Sequence, residues 1–391
     1  MLFNPAPWSL PRAWLNSSAT QKAPQINHIH TERTIMTTPT SLNHYRLLGR
    51  SGLRVSPLSL GTMTFGSDWG WGADDAEARR IFDTYVDRGG NFIDTSVNYT
   101  NGASERILGS FMKGKRDQIV LGTKFTMARD MANINSGGNH RFNLVRSVET
   151  SLRQLDTDRI DLMYVHAWDF TTRPDEVMRA LDDLVRMGKI LYLGICNTPA
   201  WRVAELQTLA DLRGWSPLVA LQIEYSLVER TVEHELLPMA KALGLGVLPW
   251  SPLGGGILTG KYSRADLSDE NGADIATSRK GVIASSGHLN QRSLDIADVV
   301  GVIAEELGVS RSQVAIAWTL TNPGVVSPII GARTLRQAED NLGALEVALN
   351  EDQLARLNEA SAPAPIFPEC FVGRPMAQQL IFGSARLAGR N

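Results

Sequence analysis

Residues 91–124 read NFIDTSVNYTNGASERILGSFMKGKRDQIVLGTK. A short apolar run ends at Asp94, a helix-like stretch follows, and a second apolar run from Ile119 ends at Lys124. Strand, helix and strand over roughly 30 residues make a βαβ unit, whose two strands lie parallel. The same rhythm continues on both sides. Strand candidates begin near Leu58, Phe92, Ile119, Leu162, Ile190, Val219, Val247 and Val326, each followed by a helical pattern. Ala78, Ile81, Phe82, Tyr85 and Val86 form a helical stripe that stops at Gly89-Gly90. Pro174-Asp175-Glu176 opens another helix, and Ser310 to Gln313 has the form of a capping box. Eight such units predict a closed (β/α)8 TIM barrel. The competing reading is an open doubly wound sheet, which usually carries a Gly-rich fingerprint after its first strand. Here that strand ends in Gly61-Thr62-Met63-Thr64-Phe65-Gly66, which is not G-x-G-x-x-G.

Ahead of the barrel, Tyr45–Leu48 and Leu53–Val55 flank Gly49-Arg50-Ser51-Gly52, the pattern of a β-hairpin. Residues 1–44 are expected outside the fold, and 45–391 as a single barrel domain. The N-terminal segment has Arg12 and Arg33 with no acidic residue before Glu32, as a transit peptide would, but Met36 is an equally good start. The Pro-rich tail SAPAPIFPECF is expected as a loop over the barrel mouth, with Phe367 and Phe371 closing on the site.

A net charge of −2, with no basic face interleaved with aromatics, argues against a nucleic-acid partner. No apolar run reaches the ~18 residues of a membrane span. Cys196 and Cys370 are far apart and fit no zinc spacing, which favours a reducing, cytoplasmic setting. The histidines after His44 are His140, His166, His234 and His288, with no helical i, i+4 pair for metal-assisted hydrolysis.

In such a barrel the chemistry sits where the strands end. The second strand ends at Asp94, with Tyr99 in the loop behind it. The third ends at Lys124 and the fourth at His166. Four ionisable groups thus converge on one rim. Taken singly, an Asp at a strand end is more often a turn cap, and a Tyr or His more often packs. A Lys at an apolar strand end needs a partner, and Asp94 is the natural one. Together they suit carbonyl reduction, whose alkoxide needs a proton. Tyr99 would donate it, its pKa lowered by the Lys124 ammonium, while His166 orients the carbonyl oxygen.

NFIDTSVNYTNGASERILG resembles the aldo-keto reductase signature, and VLGTKF and DLMYVHAWD are similar to that family's Lys and His segments. GKILYLGICN resembles its G-x-S-N segment, with Cys196 in place of Ser. The resemblance runs from Tyr45 to about Leu345. It implies the tetrad Asp94, Tyr99, Lys124 and His166, an aldehyde or ketone as substrate, and a nicotinamide cofactor. Asn197 and Gln222 would hold the carboxamide, and Trp250 would stack on the ring. Thr62, Met63 and Asp94 would flank the cofactor, with the loop Ser251, Pro252, Leu253, Gly254, Gly255 and Gly256 admitting its pyrophosphate. Lys261 would pair with a phosphate. Gly255 and Gly260-Lys261 have P-loop spacing, but Tyr262 replaces the Ser or Thr that would hold Mg²⁺, so an ATPase is rejected.

The run from Gly331 opens a helix whose free N–H groups suit a phosphate. Arg333 would read a 2′-phosphate, favouring NADPH over NADH, with Gln337, Asp340 and Asn341 near the adenosine. Trp69, Trp71 and Trp168 are candidate substrate walls, together with Tyr99 and His166. The alternative on the same barrel is a regulatory subunit with little turnover, since the family includes potassium-channel subunits. A homo-oligomer is compatible with either.

Overall fold

The computed structural model describes residues 40–267 and 287–383. Most of the expected N-terminal extension, residues 1–39, therefore lies outside the described residues. Leu42 is buried against the outer layer of the barrel.

A two-stranded antiparallel hairpin, β1 (Arg46–Leu47) and β2 (Arg54–Val55), comes first. The parallel strands follow as β3 (Ser59–Gly61), β4 (Phe92–Asp94), β5 (Val120–Phe125), β6 (Ile160–Val165), β7 (Ile190–Cys196), β8 (Leu218–Glu224), β9 (Gly246–Trp250) and β10 (Ile329–Gly331). They pair in the order β10-β3-β4-β5-β6-β7-β8-β9. Beside β9, the segment leading into β10 bonds to Val247 through Gly324 O and Val326 N, which nearly closes the sheet. This is a (β/α)8 TIM barrel, with a strand at each of the eight expected positions.

Alternation along the strands sorts their side chains. Ile93, Leu121, Met163, Ile195 and Leu221 face outward and pack under the helices. Phe92, Val120, Leu162, Tyr164, Cys196, Ala220 and Leu248 face inward. Leu48 and Val55 of the hairpin join this inner cluster, so the hairpin plugs the end opposite the strand C-termini. Its turn is tight enough to need glycine: Gly49 has φ +55, and a Cβ there would lie 2.3 Å from Val219 O.

The helices begin where their caps are written. Asp74 accepts from Glu77 N to open Asp75–Asp87. Pro174 sits in the first turn of Pro174–Arg186, and the Ser310–Gln313 capping box opens Arg311–Leu320. The tail departs from the expected loop. Its described residues form two short helices, Glu369–Val372 and Pro375–Phe382, and none of them lines the cavity described below. Phe367 and Phe371 are exposed, and Glu369 reaches His234 instead. Among the described residues no helix is long and apolar enough to cross a membrane.

Candidate active site

Asp94 at the end of β4 and Lys124 near the end of β5 are buried side by side. The Lys124 ammonium spends its three protons on Asp94 Oδ2 at 2.5 Å, Thr95 O at 2.7 Å and Tyr99 Oη at 3.3 Å. The second Asp94 oxygen accepts from Gln222 Nε2 at 2.8 Å. Tyr99 is held over this pair by a strained turn. Thr100, Asn101 and Gly102 are all left-handed, with φ of 45, 53 and 84°. Thr100 Oγ1 pins the turn by donating to Phe65 O and accepting from Ser104 N, at the start of helix Ala103–Phe111.

His166 follows β6, its ring edge-on to Tyr99 with centroids 6.0 Å apart. Ser96 Oγ lies 3.3 Å from its Nδ1. Asn197 Nδ2 donates to His166 O, and Trp250 Nε1 donates to Asn197 Oδ1. Asn197 (φ 44°) and Ser251 (φ 51°) are left-handed residues just past β7 and β9. The rim carries backbone strain where the strands release their side chains.

Burial sets the proton affinities. For Lys124, desolvation lowers the pKa, but Asp94, Tyr99 and Cys196 outweigh it and the net shift is upward. His166 is pushed down to about 3, by burial first and then by the Lys124 charge, so its imidazole is neutral. Tyr99 corrects an expectation. The ammonium does pull its phenol down, but burial is the larger effect and Asp94 adds to it, so the phenol rises above its ordinary value. The Cys196 thiol is raised by burial and stays protonated.

A cavity of about 680 Å³ opens over this cluster. Asp94, Tyr99 and His166 line it, with Met63, Asn197, Gln222, Trp250, Ser251, Pro252, Leu253, Gly255 and Lys261. At its far end are Gly331, Arg333, Gln337, Asp340 and Asn341. Trp71 is in the wall, while Trp69 stands behind it, 5.8 Å from Trp71 and edge-on to Tyr99 at 6.3 Å.

Four expected contacts fail, Trp69 behind the wall among them. Thr62 is buried, its hydroxyl engaged with Asp94 O and Ser104, and Gly254 is buried beside Val228; neither lines the cavity. Trp168 lies beneath the Arg202 guanidinium rather than in the wall. Spacing from a strand end locates a residue along the chain, but does not say which way it turns. Reading the sequence also missed Thr64, Ser312, Ile316 and Ala332, which line the cavity. Ile316 sits inside a helix with no signal to mark it.

The fold and the site define a (β/α)8 barrel with a buried ion pair presenting a phenol to a long cleft. The chain belongs to the aldo/keto reductase family, whose sequence model matches residues 57–362, and thereby to oxidoreductases that act on carbonyl groups with nicotinamide cofactors. It is 37% identical over 345 residues to norsolorinic acid reductase of Aspergillus flavus, covering 85% of each chain. It is 37% identical over 340 residues to the uncharacterized oxidoreductase YrpG of Bacillus subtilis, covering 84% of this chain and 99% of that one. An aryl-alcohol dehydrogenase [NADP(+)] of Phanerodontia chrysosporium is 34% identical over 352 residues, covering 86% and 90%.

Proposed function

We propose that the protein is an NADPH-dependent reductase of aldehydes or ketones in which Tyr99 donates the proton. The observation that carries this reading is the Lys124 ammonium, bound at once to Asp94 and Tyr99 under the cavity. Tyr99 is a neutral phenol at physiological pH and can give its proton to an alkoxide. The charge then left on Tyr99 forms beside Lys124, which is already oriented by Asp94 and Thr95. His166 lines the cavity as a neutral imidazole and would hydrogen-bond the carbonyl oxygen there.

The residues present fit a dinucleotide. The cavity has the volume of a large ligand site, and Gly255 and Gly256 are left-handed, with φ of 65 and 101°. Asn197 and Gln222 would hold the carboxamide, Trp250 would stack on its ring, and Ser251–Leu253, Gly255 and Lys261 would take the pyrophosphate. Arg333, whose guanidinium has no protein partner among the described residues, would meet the 2′-phosphate, with Gln337 and Asn341 on the adenosine. When bound, the reduced nicotinamide supplies the hydride. The NADP(+) in the name of the aryl-alcohol dehydrogenase relative supports the same choice. An aromatic carbonyl is the substrate that Trp71 in the wall, Trp69 behind it and the aryl-alcohol dehydrogenase relative favour.

A panel of aromatic and aliphatic aldehydes and ketones, followed by cofactor absorbance with NADPH and NADH in parallel, tests the reading. Turnover of an aromatic carbonyl with NADPH is expected. No turnover on any carbonyl would sink it, and a clear preference for NADH would remove the role given to Arg333.

A further inference from the structure

The inward residues of β4 to β8 include one polar layer across the barrel, directly under the cavity. Asp94, Lys124, Tyr164, Cys196 and Gln222 occupy it, where barrels of this kind carry branched apolar side chains. Lys124 is in register with Tyr164, Tyr164 with Gly194, and Cys196 with Gln222. The Gln222 amide then reaches across to Asp94, so the layer closes on itself. Tyr164 and Cys196 are the members to which the reaction above assigns no task, and Tyr164 is the one that faces the ammonium.

Its position is built. The ring lies against two glycines: a Cβ on Gly194 would come within 2.4 Å of Tyr164 Cδ1, and one on Gly122 within 3.0 Å of Cε2. The Lys124 ammonium lies 5.9 Å from the Tyr164 ring centroid and 4.8 Å from that of Tyr99, so two phenol rings face one charge. Tyr164 Oη is sealed from solvent and makes no hydrogen bond of good geometry among the described residues, with Gln222, Asp94 and Cys196 the polar groups acting on it. An unpaired buried hydroxyl is costly, and Phe would fill the same slot without that cost. Burial holds this phenol protonated far above its ordinary value, so it can donate a hydrogen bond but cannot serve as a second acid.

We propose that Tyr164 is a positioning residue for the reaction: its ring floors the Lys124 ammonium, and its hydroxyl closes the layer between Gln222 and Asp94. This rests on the role of Tyr99 proposed above. When Tyr99 releases its proton to the alkoxide, the ammonium is drawn toward the new phenolate and Asp94 loses part of its partner. Tyr164 Oη is a neutral, unpaired hydroxyl on which that carboxylate acts, and it can turn its proton to Asp94 as charge returns there.

Tyr164→Phe keeps the ring and its slot and removes only the hydroxyl. The expected result is a fall of about tenfold in kcat, with the carbonyl KM within about twofold. The alkaline limb of kcat moves to higher pH, because Asp94 then acts undiminished on Tyr99. A crystal structure of the variant shows the Gln222 amide turned away from Asp94. Wild-type kcat, KM and pH profile with Gln222 in place would overturn the proposal. So would a fall in kcat that tracks a lower Tm with the pH profile unchanged, since that is packing alone. If the wild-type protein reduces no carbonyl, the reductase reading fails, and Tyr164 is judged on the crystal structure alone. Gln222 still bonded to Asp94 there would overturn its role.

Discussion

His166 is neutral for a physical reason that no sequence motif carries. The ring is pressed into the rim beside an ammonium, and both burial and that charge resist a second proton. Between about pH 5 and 8 the rate therefore has no limb from this residue. A profile of kcat against pH, run for wild type and His166→Asn, checks this. A limb near 6.5 that vanishes in the variant would contradict it. The tetrad itself was legible, because each member stands at or just past a strand end, and Lys124 demanded a carboxylate. What was illegible is the balance of effects on Tyr99. The ammonium beside it could be read, but the burial that outweighs it depends on a turn built from Thr100, Asn101 and Gly102. The Gln222–Asp94 bond joins residues 128 positions apart, and only barrel closure brings them together.

At the scale of elements, helix Ala103–Phe111 carries a second buried carboxyl. Glu105 accepts from Thr123 Oγ1 at 2.6 Å, while its other oxygen has no partner among the described residues. Burial raises it from an ordinary 4.5 to about 7, against the opposing pull of Thr123, Ser151, Lys124 and Arg106. A folded pKa above the unfolded one means stability that is complete below about pH 4.5 and is lost as pH rises through about 7. The loss amounts to roughly 3 kcal/mol across that window. Glu105→Gln is isosteric and removes it. Denaturant unfolding from pH 5 to about 8 should show the stability difference between wild type and variant changing steadily with pH; a constant difference would contradict the assignment. The eight strands and the hairpin were legible from alternation and from Gly-rich turns, which are local. The tail was not: its prolines marked a break from helix, but the pairing of Glu369 with His234 is tertiary.

For the whole molecule, the decisive feature is one cleft running from Tyr99 and His166 to Arg333. Its two ends come from strands at opposite ends of the sequence that the barrel makes neighbours, β4 and β10 on either side of β3. Arg333→Ala should weaken NADPH binding about tenfold to a hundredfold while leaving NADH unchanged, as expected for a charge-assisted contact to one phosphate. Titration calorimetry with both cofactors measures this, and equal losses for the two would contradict it.

The proposed proton donor, Tyr99, joins the cleft to the chemistry, and Tyr99→Phe tests it most directly. NADPH binding and carbonyl turnover are measured on the same preparation of the variant. The expected result is unchanged cofactor affinity with turnover reduced at least about a hundredfold, the scale of a lost general acid. Near wild-type turnover by Tyr99→Phe would contradict it.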